Sequence, residues 1–129
     1  MDNNSFRLLR RVRSFYLSLY FFHILHVLEE YRCGFQAVRI LGDDVFLAAN
    51  AVFLALPLVI FFYILDGHRP AFLMGQIYAV VMVVNGLGHN LATLITGRYG
   101  EFAGGVSGVG LIAFGLLTAS GLQTVKKTR

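Results

Sequence analysis

The segment His26-Val27-Leu28-Glu29-Glu30, preceded by His23, puts two imidazoles and two carboxylates into eight residues at the end of an apolar stretch. On a helix, His23, His26 and Glu30 fall at i, i+3 and i+7 on one face, with Glu29 at its border. A later apolar stretch carries Asn85 and His89 four residues apart, with Asn90 beside them. Imidazole nitrogen and carboxylate oxygen together suit a divalent metal, Zn²⁺ or non-haem iron. His26 and Glu30 would supply two ligands from one helix and His89 a third from another, leaving a position for substrate. Glu29 would then be an outer partner or general base, and His23 a spare ligand. Without metal, the same groups can pass a proton between carboxyl and imidazole. Either chemistry makes His26, Glu29, Glu30 and His89 the catalytic candidates, supported by His23, Asn50, Asn85, Asn90 and Arg98. A di-iron cluster fits less well, because such bundles use four carboxylates and only Glu29 and Glu30 lie in an apolar stretch.

The elements that must position these groups are read from composition. The chain is 57% hydrophobic and 14% charged, whereas a soluble domain is roughly a quarter charged. Residues 15–28, 45–65, 71–96 and 103–121 form four runs nearly free of Asp, Glu, Lys and Arg. A helix needs about 20 residues to cross about 30 Å of hydrocarbon. The first run reaches that length only by continuing through Glu29 and Glu30 to about Gly34. The expected fold is therefore all-α, an integral membrane four-helix bundle over residues 14–121. Residues 1–13 would form a basic cytoplasmic or interfacial arm, and 122–129 a basic tail. The first run is not read as a cleaved signal, because charged residues follow it where small ones would mark a cleavage site.

Charge placement orients the bundle. Arg7, Arg10, Arg11, Arg13, Arg69, Lys126, Lys127 and Arg129 fall on one side, and Arg32, Arg39 and Arg98 on the other. The positive-inside rule then makes both termini and the middle loop cytoplasmic. His26 and His89 each lie eight residues, roughly 12 Å, before a glycine that ends its helix, Gly34 or Gly97, so the two should be level. Asn50 and Ser107 are expected near the same depth, in the outer half. Asp43 or Asp44 should cap the second helix, Pro57 should kink it, and Pro70 suits the first turn of the third. Gly86 and Gly88 should let another helix or a substrate come close.

Partners follow from the same pattern. Membrane lipids and a hydrophobic small molecule are expected. No basic surface outside the membrane is large enough for nucleic acid. Gly104 and Gly108 form a GxxxG pair on the glycine-rich fourth helix, suited to helix packing or a homodimer. The single cysteine, Cys33, excludes an intrachain disulfide framework.

His26-Val27-Leu28-Glu29-Glu30, at the outer end of a first membrane helix, resembles the motif of the HXXEE family of small bacterial membrane proteins. Asn85-Gly86-Leu87-Gly88-His89-Asn90, followed by Arg98-Tyr99-Gly100, is similar to that family's second block. The resemblance spans about residues 15 to 120 and implies the same fold and site in a bacterial inner membrane. It carries no activity. The stretch Gly100 to Gly105 departs from the proline-glycine step expected there, which bears on the outer loop. The leading expectation is metal-dependent chemistry on a hydrophobic or lipid-like substrate reached from the outer leaflet, so an enzyme. The alternative is a proton-coupled small transporter or binding protein. The inner half offers only Gln76 and aromatics such as Tyr63 and Tyr78, which favours a one-sided site.

Overall fold

Six helical segments follow one another in a computed structural model that describes residues 3–102 and 105–127. They are α1 (Asn3–Cys33), α2 (Gln36–Leu41), α3 (Asp43–Leu65), α4 (Arg69–Thr96), α5 (Tyr99–Phe102) and α6 (Val106–Lys127). No strand occurs among the described residues. Of these, α3, α4 and residues Val106–Lys126 of α6 are long and apolar enough to cross a membrane. Helix α1 does not join them on composition, because its apolar run ends at Glu29 and Glu30. Large apolar side chains are exposed along all three candidate spans, among them Phe53, Phe62, Val84, Leu91 and Leu116. A water-soluble surface does not carry so much contiguous apolar area, and the chain is consistent with a membrane protein.

The arm expected at residues 1–13 is not separate. From Asn3 onward it forms the first turns of α1, whose 31 residues extend roughly 46 Å. The reason is periodicity. Leu9, Val12, Tyr16 and Leu19 fall on one face and are all buried, so the apolar stripe runs straight through the arginines.

Two contacts fix how the ends pair. Arg13 Nη2 donates to the Leu65 carbonyl at 3.1 Å, joining the start of α1 to the end of α3. His26 reaches Ser107 at 2.9 Å, joining the end of α1 to the start of α6. One end of the molecule thus carries the N-terminal arginines, and the other carries the Glu and His groups. Between them lies a core to which α1, α3, α4 and α6 all contribute, including Tyr16, Leu19, Ile64, Ala79, Leu111 and Leu122.

Helix α6 packs most closely on α4. A Cβ at Gly86 would stand 2.5 Å from the Gly108 carbonyl oxygen, and one at Gly115 would stand 2.9 Å from that of Ala79. Small residues let the two backbones touch. Gly108 therefore packs within the chain, against Asn90 and Gly86 of α4; Gly104 lies outside the described residues. Helix α3 is the peripheral one, 22% buried over its apolar window. Tyr16 OH ties it in by donating to the Pro57 carbonyl at 2.8 Å.

The helix ends mostly follow the expected signals. Pro70 occupies the first turn of α4, and Gly34 and Gly97 take positive φ at the ends of α1 and α4. The cap of α3 differs: Gly42, at φ 78°, is its N-cap, while Asp43 and Asp44 fall inside the first turn. There they face the positive end of the helix dipole without making a side-chain cap.

Candidate metal centre

Residues from four segments meet at the end opposite the N-terminal arginines. The last turns of α1 present His26, Glu29 and Glu30; α4 presents His89; α6 presents Ser107; and α5 offers the Phe102 carbonyl. The expected level of the two histidines is what brings them together. Their rings meet edge to face with centroids 4.6 Å apart, and Phe35 closes the other side of His89 at 4.8 Å.

Both imidazoles point Nε2 at one carboxylate oxygen. Glu30 Oε1 is 3.1 Å from His89 Nε2 and 3.6 Å from His26 Nε2. One possible ligand atom from each of His26, Glu30 and His89 lies within 4.8 Å of the other two. The other ring nitrogens decide the tautomers. His89 Nδ1 bonds the Phe102 carbonyl, and a carbonyl only accepts, so this Nδ1 carries hydrogen. Ser107 Oγ donates its proton to Glu29. It must therefore accept from His26 Nδ1, 2.9 Å away. A neutral imidazole has a single N–H. With both rings neutral, each Nε2 turns a bare electron pair toward the Glu30 carboxylate; a proton on His89 Nε2 would instead be donated to Glu30 Oε1, 3.1 Å away.

Three groups able to donate an electron pair face one another here, and His26 Nε2, fully buried, has no hydrogen-bond partner among the described residues. Ligands about 2.1 Å from a tetrahedral ion stand roughly 3.4 Å apart. The observed 3.1 and 3.6 Å bracket that value. The Nδ1 contacts to a carbonyl and to a carboxylate-bound hydroxyl are the kind that orient metal-binding imidazoles. The group can hold a metal ion.

The remaining sequence candidates are distributed around this trio. Glu29 is linked to it through Ser107. His23 lies apart, with Nδ1 3.2 Å from Tyr78 OH. Asn50 and Asn90 donate to carbonyls of their own helices, Phe46 at 3.0 Å and Gly86 at 2.8 Å. Arg98 points away and pairs with Glu101 at 3.2 Å. Asn85, one turn before His89, lines an open cavity of about 360 Å³ together with Gly88, His89, Phe35 and Phe102. Gly86 and Gly88 have separate uses: the first meets α6, and a Cβ at the second would touch nothing within 4 Å among the described residues.

Three participants have roles that the sequence did not assign. Ser107 gave a signal, its level at the start of α6, but nothing in the chain marks it as the bridge between His26 and Glu29. The Phe102 carbonyl gives none, since any residue has one. Tyr78 was placed among inner aromatics, and its reach to His23 depends on helix rotation. No family, curated protein or solved structure matches the chain.

Proposed function

We propose that the protein is a metal-dependent membrane enzyme of the HXXEE type, acting on a hydrophobic or lipid-like substrate. In this reading α1 crosses the bilayer with α3, α4 and α6 as a four-helix bundle, with both termini on the cytoplasmic side of a bacterial inner membrane. His26, Glu30 and His89 hold one divalent ion, Zn²⁺ or Fe²⁺. The observation that carries it is the convergence of His26 Nε2 and His89 Nε2 on Glu30 Oε1, with the two Nδ1 atoms held by Ser107 and the Phe102 carbonyl.

Other features support it. The polar groups of α1 face α4 and α6 rather than lipid, as buried ionisable residues of functional membrane sites do. Eight of the eleven basic residues fall in the N-terminal segment, at the junction of α3 and α4, or in the C-terminal tail, which favours an outward-facing site. The cavity beside His89 gives access from the flank. An ion in the trio would polarise a carbonyl or phosphoryl oxygen of a substrate. Glu29, held by Ser107, is the nearest further base.

Elemental analysis of the detergent-purified protein tests this. One divalent ion per chain is expected, lost in both His26→Ala and His89→Ala and kept in His23→Ala. Folded protein that takes up neither Zn²⁺ nor Fe²⁺ overturns it.

A second reading rests on the 3.1 Å separation of His89 Nε2 and Glu30 Oε1, which is hydrogen-bond length. One proton between them would make the cluster a relay for a proton-coupled transporter or binding protein. It ranks second because it leaves His26 Nε2 unmatched. Proton flux in vesicles that is abolished by Glu30→Gln, with metal-free protein, would establish it instead.

A further inference from the structure

A second cavity, about 430 Å³, runs between α3 and α4 on the flank of the molecule. Leu56, Ile60, Met74 and Ile77 form its apolar walls. Asn50 and Asn85 stand at the end nearest His89, and the hydrogen-bonded pair His23 and Tyr78 forms the floor. His23 is 6% exposed. No Lys, Arg, Asp or Glu lines this groove among the described residues.

We infer that this groove holds the tail of a single-chain lipid whose head is an uncharged carbonyl or hydroxyl, bonded by Asn85, Asn50 and His23. The dimensions limit the occupant. From Asn50 to Ile60 the groove runs roughly 15 Å along α3, the extended length of about twelve carbons. The groove is open along its flank, and about 430 Å³ spread over that length leaves room for one extended chain against its walls. One hydrocarbon chain fits.

The chemistry limits the head. A phosphate or carboxylate entering here would lose its water and meet no lysine or arginine, which is costly for a charge. Amide, imidazole and phenol groups suit a neutral oxygen that accepts or donates one or two hydrogen bonds.

Continuity connects the groove to the metal centre. Asn85 lines both this groove and the cavity containing His89, and four residues of helix separate the two side chains by about 6 Å. Gly88, which lines the His89 cavity, puts no side chain into the space beside Asn85. A head anchored at Asn85 therefore sits one turn from His89, with its tail directed toward the opposite end of the bundle. This deepens the proposed function by naming the substrate class for the same site.

The test uses the full chain in detergent with two photoreactive probes. One is hexadecanol with a mid-chain diazirine, and the other is lysophosphatidylcholine with the same chain. The alcohol is expected to label residues 50–60 and 74–85 in preference to the phosphocholine. Ile77→Trp, which fills the groove, lowers that labelling about tenfold by displacing methylene contacts. Leu116→Trp, on the exposed face of α6, leaves it unchanged. Asn85→Leu, close in volume, lowers alcohol labelling about fivefold through the lost hydrogen bond. Equal labelling of α3, α4 and α6 by both probes, or equal yields from the two tryptophan variants, overturns the inference. Metal content of the same preparations is read separately. Groove-specific labelling without metal removes the metal reading alone, and even labelling of metal-loaded protein removes the groove alone.

Discussion

His26 and Thr118 are both fully buried, and each has a side-chain atom without a hydrogen-bond partner among the described residues. Their surroundings differ. Thr118 lies on α6 between Gly115, which is pressed on Ala79 and Val83, and Leu122 in the apolar core. No ionisable group of the trio is near it in sequence or in the packing, and its lone hydroxyl is a cost that close packing outweighs. His26 Nε2 faces a carboxylate and a second imidazole, and its ring is held in that orientation through Ser107. One orphaned atom in apolar packing is a tolerated defect. Three donors from two helices turned on the same point make a site.

The largest effect should come from breaking the convergence at its centre. Glu30→Gln keeps the shape and removes the charge that both Nε2 atoms face. Metal affinity, measured by competition with a chelator, should fall by more than about 100-fold, beyond the range for outer partners. Ser107→Ala is the next test, because it leaves all three ligands and frees the His26 ring. A drop of about 10- to 100-fold is expected, with Glu29 released at the same time. No change in Ser107→Ala would mean that the ring is held by packing alone, and the tautomer argument would lose its basis.

How far these features were legible depends on what each requires. The level of His26 and His89 follows from counting residues to Gly34 and Gly97, and helix rise does not vary. The shared face of His26 and Glu30 follows from periodicity. Rotation of one helix against another is set by packing that no single segment reveals. That is why Ser107, Tyr78 and the Phe102 carbonyl took their places only in three dimensions. Rotation also divided the glycines: Gly86 and Gly88 look alike in sequence, yet only Gly86 faces α6. The continuity of α1 was hidden for another reason. Its arginines suggested a separate arm, whereas the stripe of Leu9, Val12, Tyr16 and Leu19 was the stronger signal.

The glycines sharpen the contrast between packed and open regions. Gly86→Ala would drive a methyl into the Gly108 carbonyl and the Leu111 side chain. It should destabilise the protein by about 1–3 kcal/mol, seen as earlier thermal unfolding in detergent. Gly88→Ala meets open space and should gain up to about 1 kcal/mol from helix propensity. The inner orphan gives a smaller and opposite effect to the ligand variants. Thr118→Val removes an unpaired buried hydroxyl and should stabilise by about 1 kcal/mol, with metal content unchanged. A Thr118→Val protein that lost metal would show that the two buried atoms are not independent, and the contrast drawn between them would fail.

The smallest effect is expected at Arg98. The sequence places it among the groups supporting the site, but its guanidinium pairs with Glu101 three residues on, with side chains 66% and 46% exposed. An exposed pair of this kind contributes about 0–1 kcal/mol because water and salt screen it. Its only route to the metal centre is indirect, through the α5 turn that presents the Phe102 carbonyl to His89. Arg98→Ala should therefore leave metal affinity within about threefold and stability within about 0.5 kcal/mol. If chelator competition instead showed a loss comparable to Ser107→Ala, the Phe102 carbonyl would depend on this surface pair. The boundary of the site would then extend outward to α5.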